Sequence, residues 1–345
     1  MTVAQPEISV ITPMFNEQRD IRENVRRILS ALEGLGVSWE YILVDDGSTD
    51  GSRAAASEIL DGRADCRIVG YRVNRGRGYA LRQGFAVARG KYIITTESDL
   101  SWGEGIIAAL YEKLVRDECD VVVASVHLPG GGYENVPAGR RWLSSYSNVL
   151  MRWCFGGDVT MLSGMTRGYR ADVIQSLQLE ADNKEIHLEI IAKAKALGYQ
   201  IAEIPAVIRW RPSTSGRRRG GIGSMARFII PHLISTYSFG ASKILTSGTI
   251  LLALVGLCLI GFGFLNKLFL ITPAPMPNLI TYGLVIVLLA VMCALFTGLS
   301  LQVGNLSKSL THAQHQLERL RRSIEADPSR KPGGTEGEIP TRQKK

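Results

Sequence analysis

The chain has 345 residues, a net charge of +8 and a pI near 9.3. That length holds one large or two ordinary domains, and the basic balance points to a phosphorylated substrate or an anionic membrane surface. Nucleic acid is excluded as a partner, because the basic residues gather at Arg209–Arg219 and in the tail without interleaved aromatics. The five cysteines are odd in number and form no C-x-x-C pair. They read as reduced packing residues, which excludes a disulfide framework and a zinc site.

No signal-peptide pattern opens the chain, since Pro6, Glu7, Pro13, Asn16 and Glu17 interrupt any apolar core. The first domain is therefore expected on the side of the membrane where it is made. Ile8 to Thr12 predicts a short strand, and Pro13-Met14-Phe15-Asn16-Glu17 a loop. Asp20 is placed to cap a helix to about Leu35, with Ile21, Val25, Ile28, Leu29 and Leu32 at helical spacing. Tyr41–Val44 predicts a second strand, Ser52–Leu60 a helix and Cys66–Tyr71 a third strand. Asn74-Arg75-Gly76-Arg77-Gly78 leads into a helix through Ala88. Tyr92-Ile93-Ile94 predicts a fourth, buried strand. Strand alternating with helix over a hundred residues predicts a mostly parallel sheet covered on both faces.

Three strand ends carry polar clusters. Glu97-Ser98-Asp99 places two carboxylates one residue apart after the fourth strand. Alternate residues of an extended segment point the same way, so both can reach one hard cation. Asp45-Asp46-Gly47-Ser48 suits either a ribose or base contact or a plain Asx-turn and helix cap. The Asn74–Gly78 stretch suits either a phosphate cradle or a simple turn. Open α/β sheets bind ligands at the carboxyl edge, where all three clusters fall.

Ile8–Glu17, Val44–Gly51, Asn74–Ala80 and Glu97–Asp99 also follow the order and spacing of a known family. Over about residues 7–218 the chain resembles the family-two glycosyltransferases, and within them the polyprenyl-phosphate type exemplified by dolichyl-phosphate mannose synthase. The resemblance implies a GT-A fold, a nucleotide diphosphate sugar (a UDP- or GDP-sugar) as donor, a polyprenyl phosphate as acceptor, and inversion at the sugar. It implies that Pro13, Phe15, Glu17, Asp45, Asp46 and Arg77 line the nucleotide. It makes Glu97 and Asp99 the catalytic pair holding Mg²⁺ or Mn²⁺. The family usually has Asp where Glu97 stands and often Gln where Ser101 stands. An Arg is common where Val126 stands, and His127 is the candidate to replace its phosphate contact.

Asp120–Ser125 predicts a fifth strand and Gly130–Gly132 a flexible loop, followed by a helix through about Phe155. By the resemblance, Arg140 and Arg141 at its start face the acceptor phosphate; two solvated arginines is the alternative. Ser163–Arg170 matches an acceptor-side stretch. A helix follows from Lys184 to Leu197, and Ile201–Ile208 predicts a last strand. Relatives that glycosylate hydroxyls carry Glu-Asp at the start of that helix. Here the dipeptide is missing, and Glu185 and Glu189 are the nearest candidate bases. Arg211 and Arg217 match basic family positions. Arg217–Arg219 suits substrate phosphates or lipid headgroups equally.

Residues 219–242 predict an interfacial helix, with Phe228, Ile229, Leu233, Ile234 and Tyr237 on one face. The apolar runs between Lys243 and Lys267 and from Leu279 to Val303 each exceed the about 20 residues that span hydrocarbon. Residues 243–304 thus predict two transmembrane helices, with the catalytic domain and both termini cytoplasmic. From Leu306 to Ile324 apolar residues recur at alternating four and three. That leaves a short oligomerising coiled coil, and so a homo-oligomer, or a lone amphipathic helix over 305–326. Residues 327–345 have the composition of a disordered tail.

Overall fold

The computed structural model describes residues 5–155, 158–209, 242–269 and 278–326. Nine strands and nine helices lie within them. The strands are β1 (Ile8–Met14), β2 (Trp39–Asp45), β3 (Cys66–Gly70), β4 (Tyr92–Thr95), β5 (Val121–Ser125), β6 (Gly132–Glu134), β7 (Arg167–Arg170), β8 (Ile201–Pro205) and β9 (Val207–Arg209). The helices are α1 (Ile21–Glu33), α2 (Ser52–Leu60), α3 (Arg77–Val87), α4 (Ile106–Arg116), α5 (Ala138–Phe155), α6 (Ala171–Ser176), α7 (Ile186–Ala196), α8 (Ser242–Phe269) and α9 (Leu279–Ala326).

Seven strands form one sheet in the order β3-β2-β1-β4-β7-β5-β8. All pairings are parallel except those of β7, which runs antiparallel to both neighbours. β2, β4 and β5 read as continuous apolar runs because helices cover both faces, and Ile42, Leu43, Ile93, Ile94, Val122 and Val123 are fully buried. Each such side chain contributes about 1.5–3 kcal/mol on burial. The parallel register sets the ends of β1 and β2 side by side, Met14 opposite Asp45, and Asp45 opposite Gly70 of β3. The loops after β1 to β4 therefore leave the sheet at one edge.

Three local expectations are corrected. Asp20 stands at the start of α1 but makes no side-chain cap. Gly130–Gly132 is not simply a loop, because Gly132 begins β6 and pairs with Val207. Ile201–Ile208 is two strands: β8 extends the large sheet, and after Ala206 the chain leaves it so that β9 pairs with β6. The Arg167–Arg170 stretch is an inserted strand; a Cβ on Gly168 would lie 2.8 Å from Leu114 Cδ1, so glycine is what lets α4 lie on β7.

Two helices are long and apolar enough to cross a membrane: Thr246–Leu268 has mean hydropathy 2.4 and Leu279–Val303 has 2.7, and only 11% of each is buried. They touch through glycines. A Cβ on Gly256 would lie 3.0 Å from Gly283 O, and one on Gly283 would lie 2.8 Å from Gly256 O. Such small residues let helix backbones approach where lipid removes any hydrophobic drive between helices. α9 is one helix of 48 residues, so the second apolar run and the 4-3 run share a continuous axis. α8 comes close to α5, and α9 to α6 and α7. The expected interfacial helix at 219–242 (all but its last residue) and the tail 327–345 lie outside the described residues.

Candidate active site

The loops at the carboxyl edge are tied to one another. Asn16, in the left-handed region at φ 55°, accepts from the Thr49 N–H at 2.8 Å, and its own N–H donates to Ser48 Oγ at 3.0 Å. The Glu17 N–H donates to Ser52 Oγ at 2.7 Å. The β1 and β2 loops thus form one layer, with Pro13, Phe15 and Glu17 half-buried in it. Pro13 lies beyond the four β1 residues that pair with β4, where its missing N–H costs the ladder nothing on that side.

Asp46 joins this layer to the next. It is 4% exposed and accepts from Tyr71 OH at 2.7 Å, Asn74 Nδ2 at 2.8 Å, and the N–H groups of Arg75 (2.8 Å) and Gly76 (3.0 Å). Its carboxylate shapes the Asn74–Gly76 turn into α3. Asp45 is equally buried, taking the Ser48 N–H at 3.0 Å and lying 3.5 Å from the Arg53 guanidinium.

α3 starts against a second loop. Gly76 has φ 100°, and a Cβ there would lie 2.4 Å from Asn183 Oδ1; one on Gly78 would lie 2.3 Å from Ala181 O. Tyr79 N–H donates to Asp182 O at 3.0 Å. The two glycines therefore bring the turn and the Ala181–Asn183 loop together. That loop is pinned from behind by Glu189, 3% exposed, whose oxygens take the N–H groups of Glu180 and Ala181, both at 2.9 Å, and Lys193 Nζ at 2.7 Å. A carboxylate buried this deeply and taking three donors is poorly placed to accept a substrate proton, so Glu189 reads as a structural clamp. Glu185 is half-buried at the start of α7.

Glu97 and Asp99 stand in the turn after β4. Leu100, 2% exposed, holds this turn by adopting φ 48°, a conformation that costs a branched residue energy and persists only where its surroundings demand it. Ser101 Oγ donates to Glu97 Oε2 at 2.7 Å, and its N–H donates to Asp99 Oδ1 at 3.0 Å. Arg209 N–H in turn donates to Ser101 O at 2.7 Å. Arg77, the first residue of α3, places its guanidinium 3.6 Å from Glu97 Oε1. One edge of the sheet thus carries two carboxylates, a cation and a helix start.

Among the described residues no group of three or more His, Cys, Asp or Glu could hold a metal ion. Two hard oxygen donors, one of them exposed Asp99, fit a cation that takes one or two carboxylates and completes its sphere with phosphate and water. The donor set therefore fits Mg²⁺ or Mn²⁺.

α5 carries Arg140 and exposed Arg141 in its first turn. Trp142 and Tyr146 follow, 69% and 59% exposed, stacked at 5.5 Å. His127, the candidate for the phosphate contact, sits half-buried after β5. Burial, aided by the Arg152 charge, holds its pKa below the ordinary value, and its ring lies 6.2 Å from Tyr133. Its charged form is disfavoured there. Arg167 is wholly buried, donating to the carbonyls of His187 at 2.8 Å and Leu162 at 2.7 Å, and is a packing residue. Arg211 and Arg217 lie outside the described residues. Cys66 and Cys119 are free thiols in the packed domain, and burial pushes Cys66 up to about 12. Cys258 is exposed, on the candidate span, which corrects its reading as a packing residue.

The sequence reading missed Glu40, which is 1% exposed at the opposite edge. It gathers Ser9 Oγ (2.6 Å), the Arg89 N–H (2.6 Å) and the Arg67 guanidinium (3.0 Å). A buried Glu in an apolar strand was the available signal. Glu203, binding Thr160 and Met161 N–H groups at 2.8 and 3.0 Å, was missed in the same way.

Comparison with known proteins gives the same frame. A family model, glycosyl transferase family 2, matches residues 9–178. An undecaprenyl-phosphate 4-deoxy-4-formamido-L-arabinose transferase of Shewanella sediminis is 28% identical over 266 residues, 76% of this chain and 74% of that one. A protein of the same name in Salmonella paratyphi B is 31% identical over 201 residues, 58% of each chain. Glucosyl-3-phosphoglycerate synthase from Mycobacterium tuberculosis, solved with Mn²⁺, UDP and phosphoglyceric acid, shares the fold at TM-score 0.50 and 21% identity, covering 68% of this chain and 79% of that one. The same enzyme solved with Mg²⁺ and UDP gives TM-score 0.50. Residues 9–178 carry a glycosyl transferase family 2 domain.

Proposed function

We propose that this protein moves a sugar from a nucleotide diphosphate sugar to a membrane polyprenyl phosphate, with inversion at the anomeric carbon. The observation that carries the reading is the engagement of Glu189: the better buried of the two candidate bases is held by the Glu180 and Ala181 N–H groups and by Lys193. Transfer to a hydroxyl needs a base. A phosphate acceptor is already anionic at neutral pH and needs none. The relatives named for undecaprenyl phosphate support the same acceptor class.

In this reading the β1 and β2 loops receive the nucleoside, with Pro13, Phe15, Glu17, Asp45 and Asp46 forming its wall. Arg77 and the start of α3 face the diphosphate, as cations and helix amino termini favour anions. Glu97 and Asp99 hold the divalent cation, which when bound neutralises charge on the departing diphosphate. Ser101 keeps Glu97 oriented. Arg140, Arg141, Arg211 and Arg217 orient the acceptor phosphate. An acceptor oxygen attacks the anomeric carbon on the face opposite the nucleotide, and the C–O bond to the diphosphate breaks.

The membrane supplies the acceptor. α8 and α9 form the two spans, and the exposed Trp142 and Tyr146 of α5, close to α8, suit the bilayer interface where such rings are enriched. The catalytic domain and both termini lie on the cytoplasmic side. Protease added to sealed, cytoplasm-out vesicles should cut the domain and tail and spare residues 273–278. The reaction is tested by incubating the purified protein in lipid with a panel of UDP- and GDP-sugars and polyprenyl phosphate. Lipid-linked sugar with one donor supports the reading, and none with any donor contradicts it.

A further inference from the structure

Among the described residues nothing covers the 4-3 stripe beyond the second span. Leu306, Leu310 and Leu317 are 71%, 58% and 66% exposed. Ala313 between them is exposed too, and Leu320 and Ile324 continue the spacing in sequence. Three candidate covers exist: the bilayer, the protein's own catalytic domain, and another chain.

The bilayer does not reach the whole stripe. α9 continues as one helix past Val303, where the apolar span ends. At 1.5 Å per residue, Leu317 stands about 21 Å further along the axis. Lys308, Glu318, Arg319, Arg321 and Arg322 lie on the same stretch. Its own domain does not serve either. α9 comes close to α6 and α7, yet the leucines stay exposed, so the described part of the domain leaves them uncovered.

We propose that residues 306–324 of α9 form a parallel two-stranded coiled coil with a second copy of this chain. With Leu310, Leu317 and Ile324 as a positions, Leu306, Ala313 and Leu320 fall at d. The flanking e and g positions are Ser307, Ser309, Gln314, Gln316, Arg321 and Ser323, with one charge among them. Like charges therefore do not oppose pairing. The remaining charged residues and both histidines fall at b, c and f, away from the seam. A helix this short is marginal alone. Here the span fixes its start, and the bilayer holds two copies in one orientation and one register. The same surface then meets itself across a two-fold axis, a closed isologous contact. Confinement in the membrane raises effective concentration, so a modest seam suffices.

The pairing is independent of the reaction catalysed but rests on the membrane reading of α9. The test is made in native membranes, after carbonate extraction has established that the full chain is embedded. Ala313→Cys, at d, and His315→Cys, at f, are oxidised side by side, with the unsubstituted chain as baseline. Disulfides need Cα atoms within about 7 Å, which the seam gives and the outer face denies. We expect a covalent dimer from Ala313→Cys at about tenfold the yield from His315→Cys. In lipid nanodiscs the unsubstituted chain should have the mass of two copies, and Leu310→Lys with Leu317→Lys the mass of one. No dimer above baseline from Ala313→Cys, equal yields at the two positions, or a two-copy mass that survives both lysines would overturn the pairing.

Discussion

Ser101 Oγ donates to Glu97 Oε2 across 2.7 Å, so a short hydroxyl four residues away fixes the longer carboxylate at a place where the family resemblance leads one to expect Asp. The extra methylene of Glu gives a carboxylate more freedom, and the serine removes it. A hydrogen bond to a charged group is worth about 1.5–3 kcal/mol. Ser101→Ala should therefore raise the Mg²⁺ or Mn²⁺ concentration for half-activation by about tenfold, with little change in Tm. Asp99→Ala should abolish transfer while leaving expression and insertion intact. A metal-activation curve unmoved by Ser101→Ala, or near-normal turnover of Asp99→Ala, defeats the assignment.

Glu189 separates a structural role from a catalytic one. As a buried clamp on Glu180, Ala181 and Lys193, its replacement leaves N–H groups and an ammonium poorly paired. Glu189→Gln should lower Tm by several degrees, the size of a buried polar defect of about 1–3 kcal/mol. Its kcat at a permissive temperature should stay within about threefold of the parent, with an unchanged pH profile. A base would instead lose about 10²–10⁴ in kcat. A drop of that size without loss of Tm points to a hydroxyl acceptor.

Arg140 and Arg141 begin a helix, where cations are unfavourable unless an anion is bound. Arg140→Ala and Arg141→Ala should each raise acceptor KM or lower kcat/KM by about ten- to a hundredfold, one charge-assisted contact each. Nucleotide affinity, measured by calorimetry, should change far less. Unchanged acceptor kinetics in both variants would place the acceptor phosphate elsewhere.

His127 makes the fold acid-sensitive. Burial and the Arg152 charge depress its folded pKa below the unfolded value of about 6.5. The unfolded chain then binds more protons as pH drops below about 6.5, so this group's contribution to stability is full at neutral pH and is lost as pH falls on through the lower folded pKa. His127→Asn should flatten that part of the dependence. Thermal melts at half-unit steps from pH about 8 to 5 measure it, and parallel curves for parent and variant would refute it.

Much of this was legible in the sequence because local and global signals agree. The buried strands at Tyr41–Val44 and Tyr92–Ile94 are apolar runs, as strands covered on both faces must be. The edge clusters announce themselves by composition. What stayed hidden depends on partners distant in the chain. Nothing near Asp46 says that its carboxylate shapes the turn of residues 74–76, or that Glu189 holds Ala181. β7 was hidden because Arg167-Gly168-Tyr169-Arg170 lacks strand composition and is held by the neighbours it slips between. α4 was legible and overlooked: Ile106, Leu110 and Leu114 fall on one helical face.

The central claim is that a phosphate, not a hydroxyl, receives the sugar. The direct measurement is the bond made: product from polyprenyl phosphate and the active nucleotide sugar, held in mild acid and analysed for released sugar. A glycosyl phosphodiester gives up its sugar under conditions that leave an ordinary glycoside intact, and the account predicts complete release together with recovery of polyprenyl phosphate. A product whose sugar stays attached, or one formed equally well when polyprenol replaces polyprenyl phosphate, would contradict it.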